Sequence, residues 1–247
     1  MSNNLTAQLI DLINRYKNVE QFELIDLDER RIEMSAAYLC HLVEKNKVMN
    51  LTGITDPREM VILHLLDSWT LLPLIKKYNP QTILDVGSGA GLPGIPLKIC
   101  LPEVDFLLVD SLNKRIKFLE EVIDSLDLPQ ISAQHARVED VQFLRQYRAG
   151  FDLAVARAVA NLSTLLEYAL PTIQVGGHFI ALKGPSIEEE LKTAGNALEI
   201  LGGKIVSVES IALPENTGER RIVVVEKVKA TPKKYPRPAG KPRKQPL

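Results

Sequence analysis

The sequence predicts an α/β protein: a seven-stranded, mostly parallel sheet with helices on both faces, preceded by an N-terminal helical extension. Three observations carry this. From Gln81 onward, short β-branched and aliphatic runs alternate with amphipathic stretches, the pattern of a parallel sheet covered on both sides. The stretch Thr82-Ile-Leu-Asp-Val-Gly-Ser-Gly-Ala-Gly-Leu-Pro-Gly-Ile-Pro-Leu97 breaks from an apolar strand into glycines and resumes as a helix. Pro214-Glu-Asn-Thr-Gly218 reads as a turn between the last two strands, making the final strand an antiparallel hairpin partner.

Taken in order, Leu5, Leu9, Leu12 and Ile13 recur at helical spacing, and further helices are expected over 29–46 and 57–72. Asp56 is a good N-cap before Pro57 at the first helical position. The third helix, with Met60, Val61, Ile62, Leu65, Leu66 and Trp69, is too apolar all round for a surface helix and should lie between the helical part and the sheet. His64, Asp67 and Ser68 fall within about a turn of one another on it, either as a satisfied buried hydrogen-bond cluster or as a wall of a ligand pocket. Strands are predicted at 83–86, 105–109, 131–135, 153–156, 179–183, 205–208 and 221–226, with helices at 94–100, 113–126, 140–145, 163–170 and 187–201. The proline-rich, basic end after Val228 is expected to be mobile or extended. The division predicted is 1–78 helical extension, 79–228 sheet domain and 229–247 tail.

At 247 residues the chain can bury a sizeable core, and 45% apolar with 25% charged residues is ordinary for a soluble globular protein. No apolar run reaches membrane-spanning length, and the first residues lack a basic segment followed by an apolar one, so a cytoplasmic protein is expected. Cys40 and Cys100 are far apart, and the four histidines show no paired-ligand spacing, so neither a disulfide framework nor a metal is expected. The net charge of −1 hides an asymmetry: eight Lys or Arg and no acid lie from Lys227 onward, leaving 22 basic against 31 acidic residues before it, a balance of −9. Such a tail suggests a polyanionic partner met through phosphate contacts, or a solubilising segment.

The glycine turn calls for a ligand. From Gly89 it matches the dinucleotide fingerprint through Gly91 and Gly94; from Gly87 it reads Asp-Val-Gly-x-Gly-x-Gly, with Asp85 at the strand's carboxyl end. A diphosphate facing Asp85 at about 4 Å would be repelled by roughly 4 kcal/mol per charge pair at an effective dielectric near 20. S-adenosylmethionine carries an ammonium and a sulfonium instead, so the second register favours it. Asp110 ends the second strand 21 residues beyond Gly89, where it can accept from ribose hydroxyls or merely cap the helix of Asn113. Backbone groups of Ser111 and Leu112 would lie beside the adenosine. Arg137, Val138 and Glu139 follow the third strand; Glu139 either accepts from the adenine amine or begins a helix. Arg157 and Lys183 end the fourth and fifth strands, and Arg220 with Arg221 opens the last, which points to a nucleotide substrate on that edge. No Asn/Asp-Pro-Pro-aromatic turn follows the fourth strand, and neither cysteine is placed to attack a pyrimidine ring. These omissions disfavour methylation of adenine N6 and of pyrimidine C5, whereas a ring nitrogen such as guanine N7 already presents its lone pair and needs no general base.

Asn50-Leu-Thr52, His64-Leu-Leu-Asp-Ser68, Leu84-Asp-Val-Gly-Ser-Gly-Ala-Gly-Leu-Pro-Gly-Ile-Pro96, Asp110-Ser-Leu-Asn-Lys-Arg115, Arg157-Ala, Leu182-Lys-Gly184 and Gly218-Glu-Arg220 occur in one order. In this the chain resembles the RsmG (GidB) family of 16S ribosomal RNA guanine-N7 methyltransferases, over most of 46–228. The resemblance implies the class I methyltransferase fold, S-adenosyl-L-methionine as cofactor, and 16S rRNA or the small ribosomal subunit as partner, with no membrane, no metal and a monomer as the expected state. It also implies cofactor contacts at Gly87, Leu92, Asp110, Ser111, Leu112, Val138, Glu139 and Arg157, which join Asp85 and Gly89 from the turn itself, and RNA-side contacts at Arg137, Lys183 and Arg220. No residue is expected to act as covalent nucleophile or general base. Two rival readings use the same residues: a nicotinamide-dependent oxidoreductase in the Gly89 register, and a non-catalytic RNA-binding protein that relies on the tail.

Overall fold

The computed structural model describes residues 3–17, 19, 27–157 and 160–247. Its strands are β1 (Thr82–Val86), β2 (Asp105–Asp110), β3 (Ile131–His135), β4 (Phe151–Arg157), β5 (Ile173–Lys183), β6 (Gly203–Ala212) and β7 (Glu219–Lys227). They form one sheet in the order β3-β2-β1-β4-β5-β7-β6, parallel from β3 to β5, with β7 antiparallel to both β5 and β6. The hairpin turn forms where expected, with the Leu213 amide donating to the Gly218 carbonyl at 3.0 Å. The chain winds outward from β1 through β2 to β3, then returns to lay β4 on the other side of β1. A topological switch point results, and ligands of open α/β sheets bind outside the strands' carboxyl ends there.

Successive strand residues face opposite sides, so two apolar cores form. Ile83, Leu108 and Ile180 pack into one with Leu9, Leu39 and Trp69, while Leu84, Val109 and Phe179 pack into the other with Phe143 and Leu166. Helices α1 (Asn3–Lys17) and α2 (Glu29–Met49) belong to the first. Tyr38 of α2 donates its hydroxyl to the Ala90 carbonyl at 2.8 Å, which ties the helical part to the glycine turn. Among the described residues no helix is long and apolar enough to cross a membrane.

The single helix expected at 57–72 is a composite. After the Asp56 cap, which accepts from the Arg58 and Glu59 amides at 3.0 Å each, come α3 (Pro57–Met60), a π-helical stretch Val61–Leu66, α4 (Asp67–Trp69) and α5 (Leu72–Tyr78). Two hydroxyls bond back along this backbone, Ser68 to the His64 carbonyl and Thr70 to that of Asp67, both at 2.6 Å, the type of local competition that bends helices. The run is buried as expected, and the Trp69 indole donates to the Pro96 carbonyl at 3.1 Å in α6 (Gly94–Cys100). The remaining helices are α7 (Asn113–Ser125), α8 (Val141–Tyr147), α9 (Leu162–Ala169), α10 (Glu188–Thr193), α11 (Gly195–Leu201) and α12 (Lys241–Lys244).

The basic end is not extended into solvent, contrary to expectation. The Lys227 ammonium, buried, donates to the Leu170 carbonyl and the Thr231 hydroxyl, and burial pushes its pKa down to about 7. Tyr235 is buried against the second core, its carbonyl accepting from Arg148, and Pro242 is buried at the start of α12. The physical reason is a partner that composition could not reveal: the carboxylate of Glu167, at 0% exposure, pairs with Arg237. The segment's prolines lower the entropy lost on docking.

Candidate cofactor and substrate site

A cavity of about 610 Å³ opens at the carboxyl ends of β1, β2 and β4. Its floor is the turn after β1, where Gly87, Gly89 and Gly91 take φ of 74°, 59° and 94°, the left-handed region that favours glycine. The Gly87 and Ser88 amides both donate to the Val109 carbonyl, at 2.8 and 3.0 Å, which folds the turn over the end of β2. A Cβ on Gly91 would lie 2.6 Å from Ile95 Cγ1, and one on Gly94 would lie 2.4 Å from Leu108 Cδ2. The turn is therefore shaped by close packing as well as by backbone conformation.

Asp110 lines this cavity from the end of β2. One carboxylate oxygen accepts from the Leu112 amide at 2.8 Å; the other accepts from the Gly89 amide at 3.0 Å and from Arg115 Nη1 at 3.1 Å. A carboxylate has about four lone-pair sites, so one acceptor direction remains, and the half-exposed Arg115 can yield a second. Ser111, Leu92, Val138 and Glu139 share the wall. Glu139 does not begin α8, which starts two residues later at Val141. Its buried carboxylate faces Arg137 Nη1 at 3.9 Å and the Gly240 amide at 3.4 Å. Leu112 does not line the cavity; its side chain is exposed and its amide serves Asp110.

Asp85 is placed differently from expectation. At 0% exposure it lies behind the turn rather than on the cavity wall, accepting from the Gly94 amide at 3.1 Å with Oδ2 while buried Oδ1 has no partner. Burial pushes its carboxyl up to about 7. It braces the start of α6 and is not among the residues that line the cavity, since it is fully buried and committed to the Gly94 amide.

On the opposite side, Arg157 ends β4 and lines the cavity, its Nη1 donating to the Leu63 carbonyl at 2.9 Å and to Asp67 at 3.0 Å. Asp67 also accepts from Arg220 Nε at 2.8 Å. Burial pushes the Asp67 carboxyl up while the two guanidiniums pull against it, burial being the larger effect. His64 lines the cavity beside Thr52, whose hydroxyl lies 3.1 Å from its Nε2. Burial, then the charge of Arg157, push its pKa down to about 4. Of the His64, Asp67 and Ser68 cluster, His64 alone lines the cavity, with its buried Nδ1 unpartnered, while Ser68 and Asp67 are hydrogen-bonded behind it. Of the three cations expected on the RNA side, only Arg137 opens on the cavity: Lys183 is paired with Glu190 at 2.7 Å and Arg220 with Asp67.

Sequence reasoning missed Tyr168, Gly240, Arg243 and Lys244, all on the cavity wall. Arg115 and Thr52 stood inside quoted motifs without being assigned a role, whereas His64 was weighed as a possible pocket wall. No local pattern marks Tyr168, and the tail residues reach the site only through its docking.

Residues 19–223 match the GidB family, described as rRNA small subunit methyltransferase G. The chain belongs to this family. This GidB protein is 49% identical over 223 residues to Ribosomal RNA small subunit methyltransferase G of Acetivibrio thermocellus, spanning 90% of this chain and 91% of that one. It is 46% identical over 225 residues to the protein of the same description from Lactobacillus johnsonii, spanning 90% and 94%. A solved Burkholderia thailandensis 1,6-didemethyltoxoflavin-N1-methyltransferase with bound S-adenosylhomocysteine shares the fold, with a TM-score of 0.54 at 14% identity over 78% of this chain and 89% of that one. The GidB protein is accordingly an S-adenosylmethionine-dependent methyltransferase of small-subunit rRNA, and the oxidoreductase and non-catalytic readings give way. The site fits that cofactor on its own observations: a strand-end carboxylate with free acceptor capacity, a second carboxylate at Glu139, and a glycine turn open to close approach.

Proposed function

We propose that this GidB protein transfers the methyl group of S-adenosylmethionine to N7 of one guanine in the decoding region of 16S rRNA. One observation carries the reading. A single cavity runs from the glycine turn and Asp110 to Arg157 and His64, so a cofactor and a base can share one enclosure.

In this reading Gly87, Gly89 and Leu92 border the methionine end, Asp110 accepts from the ribose hydroxyls, Ser111 lies beside the adenosine, and Val138 and Glu139 address the adenine, Glu139 as acceptor for its amine. Asp85 supports from behind, by holding the Gly94 amide. The cofactor, when bound, supplies an electrophilic methyl group on a positively charged sulfur. Arg157, held by Asp67, borders the guanine, and Arg137 is the open cation for a neighbouring phosphate. Lys183 and Arg220 are held in short, mostly buried pairs with Glu190 and Asp67, whereas Arg137 is exposed and lies 3.9 Å from Glu139, so we assign the phosphate to Arg137.

Guanine N7 presents its lone pair without loss of a proton, so the protein need only align the reactants, an effect that can supply about 7–11 kcal/mol. His64, neutral near pH 7, adds no positive charge beside the sulfonium. Neither Cys40 nor Cys100 lines the cavity, which disfavours attack on a pyrimidine ring. A ribosomal RNA substrate assigns the work to the cytoplasm.

The test is to incubate the protein with isotopically labelled cofactor and small-subunit rRNA, digest the RNA to nucleosides and identify the labelled one by mass spectrometry. Label in 7-methylguanosine at a single mapped position is expected. Label in any other nucleoside, or none, overturns the proposal.

A further inference from the structure

The docked C-terminal segment has no part in the family match, which ends at residue 223. Yet it reaches the site. Gly240, Arg243 and Lys244 line the cavity together with Glu139 and Tyr168, and the Gly240 amide points at Glu139 Oε1 from 3.4 Å. Glu139 is the residue assigned to adenine, so the segment meets the cavity at that residue.

What holds the segment there is unusually complete. The two oxygens of Glu167, buried in α9, accept from the Arg237 backbone amide at 2.7 Å, from Nε at 2.9 and 3.1 Å and from Nη2 at 2.5 Å. A bidentate guanidinium with an added backbone donor fixes orientation as well as position. On one side of this clamp Tyr235 is buried and tied to Arg148; on the other the Thr164 hydroxyl donates to the Pro242 carbonyl at 3.0 Å. The segment is thus gripped before and after Arg237, and Gly240, Arg243 and Lys244 are left to face the cavity.

We infer that residues 231–247 are a working wall of the cofactor pocket, positioned by the Glu167–Arg237 clamp, so that the docked tail and the bound cofactor strengthen each other. The inference rests on the reading of this cavity as the S-adenosylmethionine site. A ligand that touches the tail binds the docked arrangement better than the undocked one, and by linkage its binding must favour docking to the same degree. Arg237 is a positioning residue: it holds the wall and touches neither cofactor nor base. The alternative role for a basic tail, an arm that grips RNA phosphates, predicts a different set of outcomes.

Two measurements on the full-length protein decide. Calorimetric titration with S-adenosylhomocysteine should show Arg237→Ala weaker than the unsubstituted protein by about ten-fold in Kd, Arg237→Lys intermediate, and the Arg243→Ala/Lys244→Ala pair weaker by about three-fold with an unchanged melting temperature. In the methyl-transfer assay Arg237→Ala should raise KM for the cofactor and leave kcat at saturation within about three-fold. Hydrogen exchange on the unsubstituted protein, which does not depend on any variant folding, should show amides of 236–244 slowed by saturating S-adenosylhomocysteine. If the unsubstituted protein does not bind S-adenosylhomocysteine, the cofactor reading itself falls. If it binds, but Arg237→Ala has the same Kd and exchange at 236–244 is unaffected, the cofactor reading stands and the tail inference falls. Loss of RNA affinity in the variants with cofactor Kd unchanged likewise overturns it, in favour of an RNA arm.

Discussion

Asp67 and Arg157, 90 residues apart in the chain, meet at 3.0 Å where α4 crosses the carboxyl end of β4. The same carboxylate holds Arg220 of β7 at 2.8 Å, so one buried acid joins the helical part to two strands and fixes a cavity-lining guanidinium. Replacing Asp67 by Ala leaves two mostly buried cations without their acceptor, and breaking a buried pair in this way costs about 3–5 kcal/mol. Asp67→Ala should lose stability of that order in urea unfolding, and its methyl transfer should fall at least ten-fold at a temperature where it remains folded. Asp67→Asn should lie between. Wild-type stability in Asp67→Ala would show that the pair does not organise the site.

Asp85 makes stability depend on pH in a definite direction. Its carboxyl is pushed up from 3.8 to about 7 by burial, so between those values the folded protein keeps a proton that the unfolded chain gives up. The contribution is present in full below pH 3.8 and is lost as pH rises through 7. Asp85→Asn cannot titrate and keeps an acceptor for the Gly94 amide. Its unfolding free energy relative to the unsubstituted protein should therefore climb between pH 4 and pH 8, by about 4 kcal/mol at most from 1.36 kcal/mol per unit. Comparing the two proteins removes the opposing contribution of His64 from the same window. Parallel stability curves would contradict the assignment.

His64 offers a spectroscopic check on the cavity's electrostatics. With its pKa pushed down to about 4, its ring should stay neutral through the working range. The ring-proton NMR signal of His64 should be flat between pH 5.5 and 8. A midpoint near 6.5 would mean that water reaches the ring more freely than the packing implies.

Gly94 tests the turn's packing. A Cβ there would come 2.4 Å from Leu108 Cδ2 and 2.6 Å from Asp85 Oδ2, and overpacking of this kind costs about 1–3 kcal/mol. Gly94→Ala should lose stability in that range by denaturant unfolding and bind S-adenosylhomocysteine more weakly, since α6 and the turn must shift together. Gly53→Ala, where a Cβ meets nothing within 4 Å, is the control expected to change neither.

Much of the fold was legible because period-two apolar runs and the glycine turn are local signals. The sheet class, the hairpin at 214–218 and the placement of Asp110 at the end of β2 follow from them. Strand length was less legible. β5 begins at Ile173, not 179, because Gly176 and Gly177 read as a break, yet the chain continues through them; β6 reaches Ala212 because Glu209 and Ser210 fit an edge strand that alternates between half-buried and exposed faces. The side of the turn on which Asp85 would lie was not legible, since it depends on how tightly the Gly87–Gly91 backbone folds over Val109. Nor was the fate of the tail. Proline and lysine content describes a segment's own tendencies, while Glu167, which captures Arg237 from 70 residues away, looks in sequence like any polar residue of a helix. The pairs that withdraw Lys183 and Arg220 from the cavity are equally non-local.

Because β7 runs against β5, it starts beside Lys183 at the cavity edge and finishes with Glu226 beside His178 at the far edge. The backbone then doubles back over α8 and α9 until Pro246 and Leu247 rest by Asn161 and Leu162 where α9 begins. Anything genetically fused after Leu247, a polyhistidine purification handle included, would hang beside the start of α9, a few residues from the tail positions that line the cavity. Kinetic work is therefore best done with the handle on the other terminus or cut away.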